Sequence, residues 1–187
     1  MSRVYLDTEF EGLYKDAKLI SMGLVSDDGK ELYLEFNDID TNKQDEWIKQ
    51  NVLGNTVYYG NKNIENITDE MNYFVGDKIQ LEGVLRNWLK QFPEVQIVSD
   101  VCHYDFVQFI DMFGTAFDLP KNVNASCHDI NQDIARYYYV TENVAFNMSR
   151  EDILKDSDIN IDGEKHNSLY DAKVIRELYK ILNSGLF

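Results

Sequence analysis

Apolar residues cluster in three closely spaced runs at the start of the chain, at about residues 3–10, 18–26 and 31–36. Each run is short and rich in Val, Ile, Leu, Tyr and Phe, so each predicts a strand rather than a helix. Asp27-Asp28-Gly29-Lys30 separates the second from the third as a turn, with Gly29 supplying positive φ. Short connections between the three predict an antiparallel meander. Further on, Leu81, Val84, Leu85, Trp88, Leu89 and Phe92 recur at helical spacing, which predicts an amphipathic helix with Trp88 in the core. Val95–Ser99 then reads as a strand parallel to the first, reached through that helical crossover.

The C-terminal half is mostly helical in pattern. A helix over 104–113 turns Phe106, Phe109, Ile110 and Phe113 inward and stops at Gly114. Another is expected around 129–139. The strongest spans 167–183, with Leu169, Ala172, Ile175, Leu178, Tyr179 and Leu182 on its buried face. Between these lie less regular stretches. A short helix is expected around Gln44–Val52, followed by a Gly- and Asn-rich loop, Gly54–Asn63, whose Tyr58 and Tyr59 are placed to touch a ligand. Segment 141–165 is polar, and within it Ser149 reads as an N-cap with Asp152 at N3. The order β-β-β-α-β-α-α predicts an α/β fold, a mixed sheet with flanking helices.

A chain of 187 residues, 44% hydrophobic and 13% aromatic, suits a single domain, taken as 1–187. No apolar run approaches the ~20 residues needed to span a bilayer, and no secretory leader is visible, so no membrane partner and a cytoplasmic location are expected. Cys102 and Cys127, each followed by a histidine, are most simply free thiols, since adjacent ligands do not match zinc spacing. Charge changes the picture more. With 18 Lys plus Arg against 33 Asp plus Glu, the formal net charge is −15 and no basic cluster stands out. Such a chain has no broad cationic face for gripping a duplex.

The candidate chemistry lies in Asp7-Thr8-Glu9-Phe10. On a strand, Asp7 and Glu9 leave from the same face, where each anion disfavours ionisation of the other. A hard cation would relieve the repulsion, although two solvated acids at a strand end give the same pattern. Two further segments carry titratable groups: Tyr104-Asp105-Phe106-Val107, and His166-Asn167-Ser168-Leu169-Tyr170-Asp171 at the head of the last helix.

In order and spacing, these three motifs resemble the DEDDh 3'–5' exonucleases. Together with Leu19-Ile20-Ser21-Met22-Gly23, they are similar to the stand-alone mycobacterial-type exoribonucleases related to ribonuclease T. The resemblance covers roughly half the chain. It implies an RNase H-like fold and a two-ion Mg2+ or Mn2+ site held by Asp7, Glu9, Asp105 and Asp171, with His166 as general base. Asp100 competes with Asp105 for the middle position. Contacts to the terminal nucleoside would come from the residues beside the acidic pair, Thr8 and Phe10, although spacing turns Phe10 toward the core. The implied partner is the 3' end of single-stranded or overhanging RNA, with DNA and an inactive binding module as alternatives. A homodimer through exposed Tyr170 and Tyr179 is a further implication. Ser168 replaces a commoner small apolar residue, and the middle motif lacks the Asn that many relatives carry.

Overall fold

The computed structural model describes residues 1–14, 16–60 and 71–184. The three N-terminal runs form β1 (Ser2–Phe10), β2 (Leu19–Ser26) and β3 (Glu31–Phe36), paired antiparallel in sequence order. Gly29 closes the β2–β3 turn at φ 84°, a conformation strained for a residue with a Cβ. Helix α1 (Glu46–Asn51) and a 3-10 turn at Leu53–Asn55 follow. Next come β4 (Met71–Gly76), α2 (Lys78–Leu89), β5 (Val95–Ser99) and α3 (Asp105–Phe113). The chain continues through β6 (Val123–Asp129), α4 (Ile130–Tyr138), α5 (Glu142–Phe146), α6 (Arg150–Asp156) and α7 (Ser168–Asn183). The sheet order is β4-β3-β2-β1-β5-β6, with β5 parallel to β1 as the crossover predicts.

Two strands were not expected. Both are edges. β4 pairs parallel with β3, and β6 pairs parallel with β5. Edge strands lack neighbours on one side and need no continuous apolar pattern. Phe74 and Val75 of β4 remain exposed, and Val123-Asn124-Ala125-Ser126 of β6 is mostly small or polar. Each is paired along one side by its partner strand. In segment 141–165, α5 and α6 form, and the Ser149 side chain accepts from the Asp152 N–H at 3.1 Å, the N-cap expected.

Alternation along β1 sorts its side chains between two cores. Val4 and Leu6 join the larger core with α2 and α3, whereas Tyr5 joins a second core with α4 and α7. By the same alternation Asp7 and Glu9 lie on the α7 face and Thr8 on the α3 face. Helix α7 lies across β1 and β2. Gly23, opposite Asp7 in the β1–β2 register, permits this: a Cβ there would stand 2.2 Å from the Ser168 carbonyl oxygen. Ser168 also donates its hydroxyl to that of Ser21 at 2.9 Å. The first turn of α7 therefore rests directly on the backbone of β2.

Two surface expectations are corrected. Tyr170 and Tyr179 are partly buried against the second core, Tyr179 5.7 Å from the ring of Tyr5, and do not form an exposed aromatic face on α7. Tyr59 donates its hydroxyl to the Phe36 carbonyl at 2.8 Å, and neither it nor Tyr58 lines the carboxylate cavity. Residues 61–63 of that loop lie outside the described residues.

Candidate active site

A cavity of about 280 Å3 opens on the α7 face of β1, with Asp7, Glu9, Asp100, Arg150, His166 and Asp171 among its lining. β1 delivers Asp7 and Glu9, and a register irregularity follows at Glu9/Phe10 as the strand leaves its ladder. The first turn of α7 and the residue before its cap deliver Asp171 and His166, while Asp100 follows β5 and Arg150 opens α6. The N-cap of α7 is Asn167, whose side chain accepts from the Tyr170 N–H at 3.2 Å. The capping turn puts His166 at φ 63° and aims its backbone N–H at Asp171 Oδ2, 2.8 Å away. His166 Nδ1 stands 3.7 Å from Glu9 Oε1, an ion-pair distance rather than a hydrogen bond. The edge of Trp47, from α1, packs on its ring at 5.1 Å.

Anions dominate this cavity. Asp7 Oδ2 is buried without a hydrogen-bond partner. Burial pushes the Asp7 carboxyl well above the usual range, and Asp105, Asp171, Glu9 and Asp100 push it further. Asp171 rises to about 8, chiefly by burial and then by the charge of Glu9, against the opposing hydrogen bond from His166. The Glu9 carboxylate raises His166 above its ordinary value, with burial opposing. Ligand atoms of Glu9, His166 and Asp171 all lie within 4.8 Å of one another.

Asp105 approaches from the opposite side of the sheet. It opens α3 and is 5% exposed. Its Oδ1 accepts from the Thr8 N–H at 3.0 Å and the Thr8 hydroxyl at 2.6 Å, while Oδ2 accepts from Ser99 at 2.7 Å. Burial outweighs these three bonds and takes its pKa up to about 7. The Thr8 hydroxyl is buried and committed to Asp105. Phe10 lines a separate, mostly apolar slot of about 250 Å3 with Leu13, Tyr14, His103, Tyr104 and Val107. Asp100, the competitor for the middle position, does face the cavity. Both its oxygens are, however, held by Arg150, through Nε at 2.7 Å and Nη2 at 2.8 Å.

The folded chain thus brings Asp7, Glu9, His166 and Asp171 into one cavity, sets Asp105 behind Asp7, and keeps Thr8 out of it. The unpartnered Asp7 oxygen and the oxygen-rich donor set fit a hard divalent cation such as Mg2+ or Mn2+. Cys102, His103, Cys127 and His128 line a separate cavity of about 630 Å3. Sequence reasoning missed Gly23, Arg150 and Thr8 as supports of the site. Only Gly23 left a signal, a glycine within a strand, which marks close backbone approach.

No protein-family model matches the chain, and no curated protein matches it in sequence. Solved structures do match in fold. A 3'-exonuclease in a structure of 3'-end specific recognition of a histone mRNA stem-loop aligns with TM-score 0.64 and 14% identity, covering 98% of this chain. This chain spans 64% of that protein's length. The nuclease domain of 3'hExo, a DEDDh family member bound to rAMP, aligns with TM-score 0.62 and 15% identity, over 98% of this chain and 92% of that one. S. pombe Pop2p, in a form with Mg2+ and Mn2+ bound, gives TM-score 0.63 and 14% identity, over 97% and 82%. The fold is RNase H-like. The mixed sheet with flanking helices expected from the strand and helix order is the architecture found.

Proposed function

We propose that this RNase H-like protein is a metal-dependent 3'–5' exonuclease of the DEDDh type that removes nucleotides from the 3' end of RNA. One observation carries the reading: the buried, unpartnered carboxylate oxygen of Asp7, with Glu9, Asp171 and Asp105 around it and an imidazole 3.7 Å from Glu9. Such a cluster is electrostatically unfavourable by itself, and a divalent cation is the chemistry that relieves it. The matching folds include a Mg2+- and Mn2+-bound protein and two structures concerned with RNA or a ribonucleotide, which supports both the ions and the sugar.

In this reading Asp7, Glu9, Asp171 and Asp105 would hold the divalent cations, which would neutralise the phosphodiester oxygens and acidify water toward neutral pH. His166 has Nδ1 toward Glu9, which leaves Nε2 to take the proton of the attacking water. Asp171 accepts the His166 backbone N–H and so fixes where the ring begins. Because the chain carries −15, the grip on substrate depends on the cations and on stacking of unpaired bases, and substrate binding should weaken steeply with salt.

The test is a time course on 5'-labelled single-stranded RNA and the matching DNA, with Mg2+, Mn2+ or EDTA, beside His166→Ala. A metal-dependent ladder shortening from the 3' end, faster on RNA and lost in the variant, is the expected result. A ladder on DNA alone would reassign the sugar. No shortening of either strand under any metal would sink the exonuclease reading.

A further inference from the structure

We propose that Asn55, in the connection between β3 and β4, is the positioning residue for His166; the inference rests on His166 being the general base of the reaction proposed above. His166 is one of four non-glycine residues at positive φ among the described residues, so local sequence preference does not hold its backbone where it lies. Asn55 holds the chain on both sides of it. Its Nδ2 donates to the Lys165 carbonyl at 2.8 Å, and its own carbonyl accepts from Asn167 Nδ2 at 2.9 Å. The second N–H of the same amide goes to the Asn51 carbonyl at 2.7 Å, so both donors are used.

The bracket is anchored at each end. Asn167 is also tied to the Tyr33 hydroxyl at 3.1 Å and caps α7. Beyond Asn55, the buried Glu35 of β3 accepts the Val57 and Tyr58 N–H groups at 2.6 and 2.7 Å and the Tyr73 hydroxyl at 3.0 Å. Hydrogen bonds and the short backbone segment 55–58 therefore link the sheet interior to the Lys165 carbonyl before His166 and to the Asn167 side chain after it. Trp47, from the same connection, closes on the ring itself. Asn55 does not line the carboxylate cavity, so whatever it contributes to the reaction passes through His166. Proton transfer is sensitive to small displacements of the base, which is the property this bracket controls.

A double-mutant cycle tests this on whichever strand the wild type shortens. Asn55→Ala should lower the single-turnover rate by about 10- to 100-fold, with KM and the Mn2+-induced rise in Tm unchanged. The same substitution in a His166→Ala background should cost nothing further, because the group it positions is gone. Asn55→Asp keeps the side-chain size while losing both donors, and should reproduce the rate loss if the alanine variant does not fold. Equal fractional losses in both backgrounds, an unaltered rate, or a loss confined to KM would overturn the role of Asn55. A wild type that shortens neither strand would overturn the exonuclease reading itself, and this role with it, so the two failures are told apart.

Discussion

Thr8 donates both its backbone N–H and its hydroxyl to one oxygen of Asp105, a residue 97 positions away on the other side of a sheet crossover. A carboxylate that is 5% exposed is held in place by these bonds and by Ser99. Thr8→Val preserves the shape and the N–H but deletes the hydroxyl. It should cost about 1–3 kcal/mol of unfolding free energy in urea, because a buried acceptor loses a donor. Thr8→Ser should retain most of the stability. Equal midpoints for Thr8→Val and wild type would show that the hydroxyl does not hold Asp105.

Asp7 should trade stability against function. In metal-free protein near neutral pH, Asp7→Asn removes a buried carboxyl whose ionisation burial and four other acids oppose, so Tm should rise by about 2–4 °C for each kcal/mol relieved. The same change should abolish the Tm increase on adding Mn2+ and reduce nuclease activity by about 100-fold or more. A variant that is both less stable without metal and still stabilised by Mn2+ would contradict the electrostatic account.

The pH response follows from the same groups. Asp105 and Asp171 have folded-state values raised to about 7 and about 8, and Asp7 is raised as well. A carboxyl raised on folding stabilises the folded state in its protonated form. That contribution is complete below the unfolded value, near 3.9, and is lost as pH rises through the folded value. Metal-free protein should therefore lose stability between about pH 5 and pH 8. Over the same interval the Mn2+-induced gain in Tm should grow, since cations compete with protons for these oxygens. A gain independent of pH would place the bound metal elsewhere.

Arg150 uses all five of its N–H donors. Beyond the fork on Asp100, they reach the Ala145 and Met148 carbonyls at 2.6 and 2.7 Å and Asn131 Oδ1 at 3.1 Å. This one side chain ties the end of β5 to α4, α5 and the start of α6. Arg150→Ala should cost about 3–5 kcal/mol by leaving Asp100 and two carbonyls unpaired. Arg150→Lys should recover little, because an ammonium cannot reproduce the planar fork. A loss below about 1 kcal/mol in chemical denaturation would mean that the cavity wall is held by other contacts.

The sequence by itself determined the elements whose pattern is local. The short, mostly apolar runs of β1, β2 and β3 and the helical stripes of α2, α3 and α7 reflect burial of one face or of both, so their type was readable from local pattern. The four groups that converge in the cavity were readable for a related reason. Asp7 and Glu9 share a strand face, and Asp171 lies one helical turn from its N-cap, so their mutual placement is largely set within each element.

Tertiary structure decided the rest. Edge strands β4 and β6 pair on the ladders that β3 and β5 leave open, a partnership that lies outside their own short patterns. Thr8 became a support for Asp105 because α3 packs on the face to which Thr8 points. Asp100 was taken up by Arg150, 50 residues away in the chain. Asn55 reaches the Lys165 carbonyl beside His166 across 110 residues. Hydrogen bonds of this kind depend on where backbone carbonyls and amides finally lie, and side-chain pattern carries no record of that position.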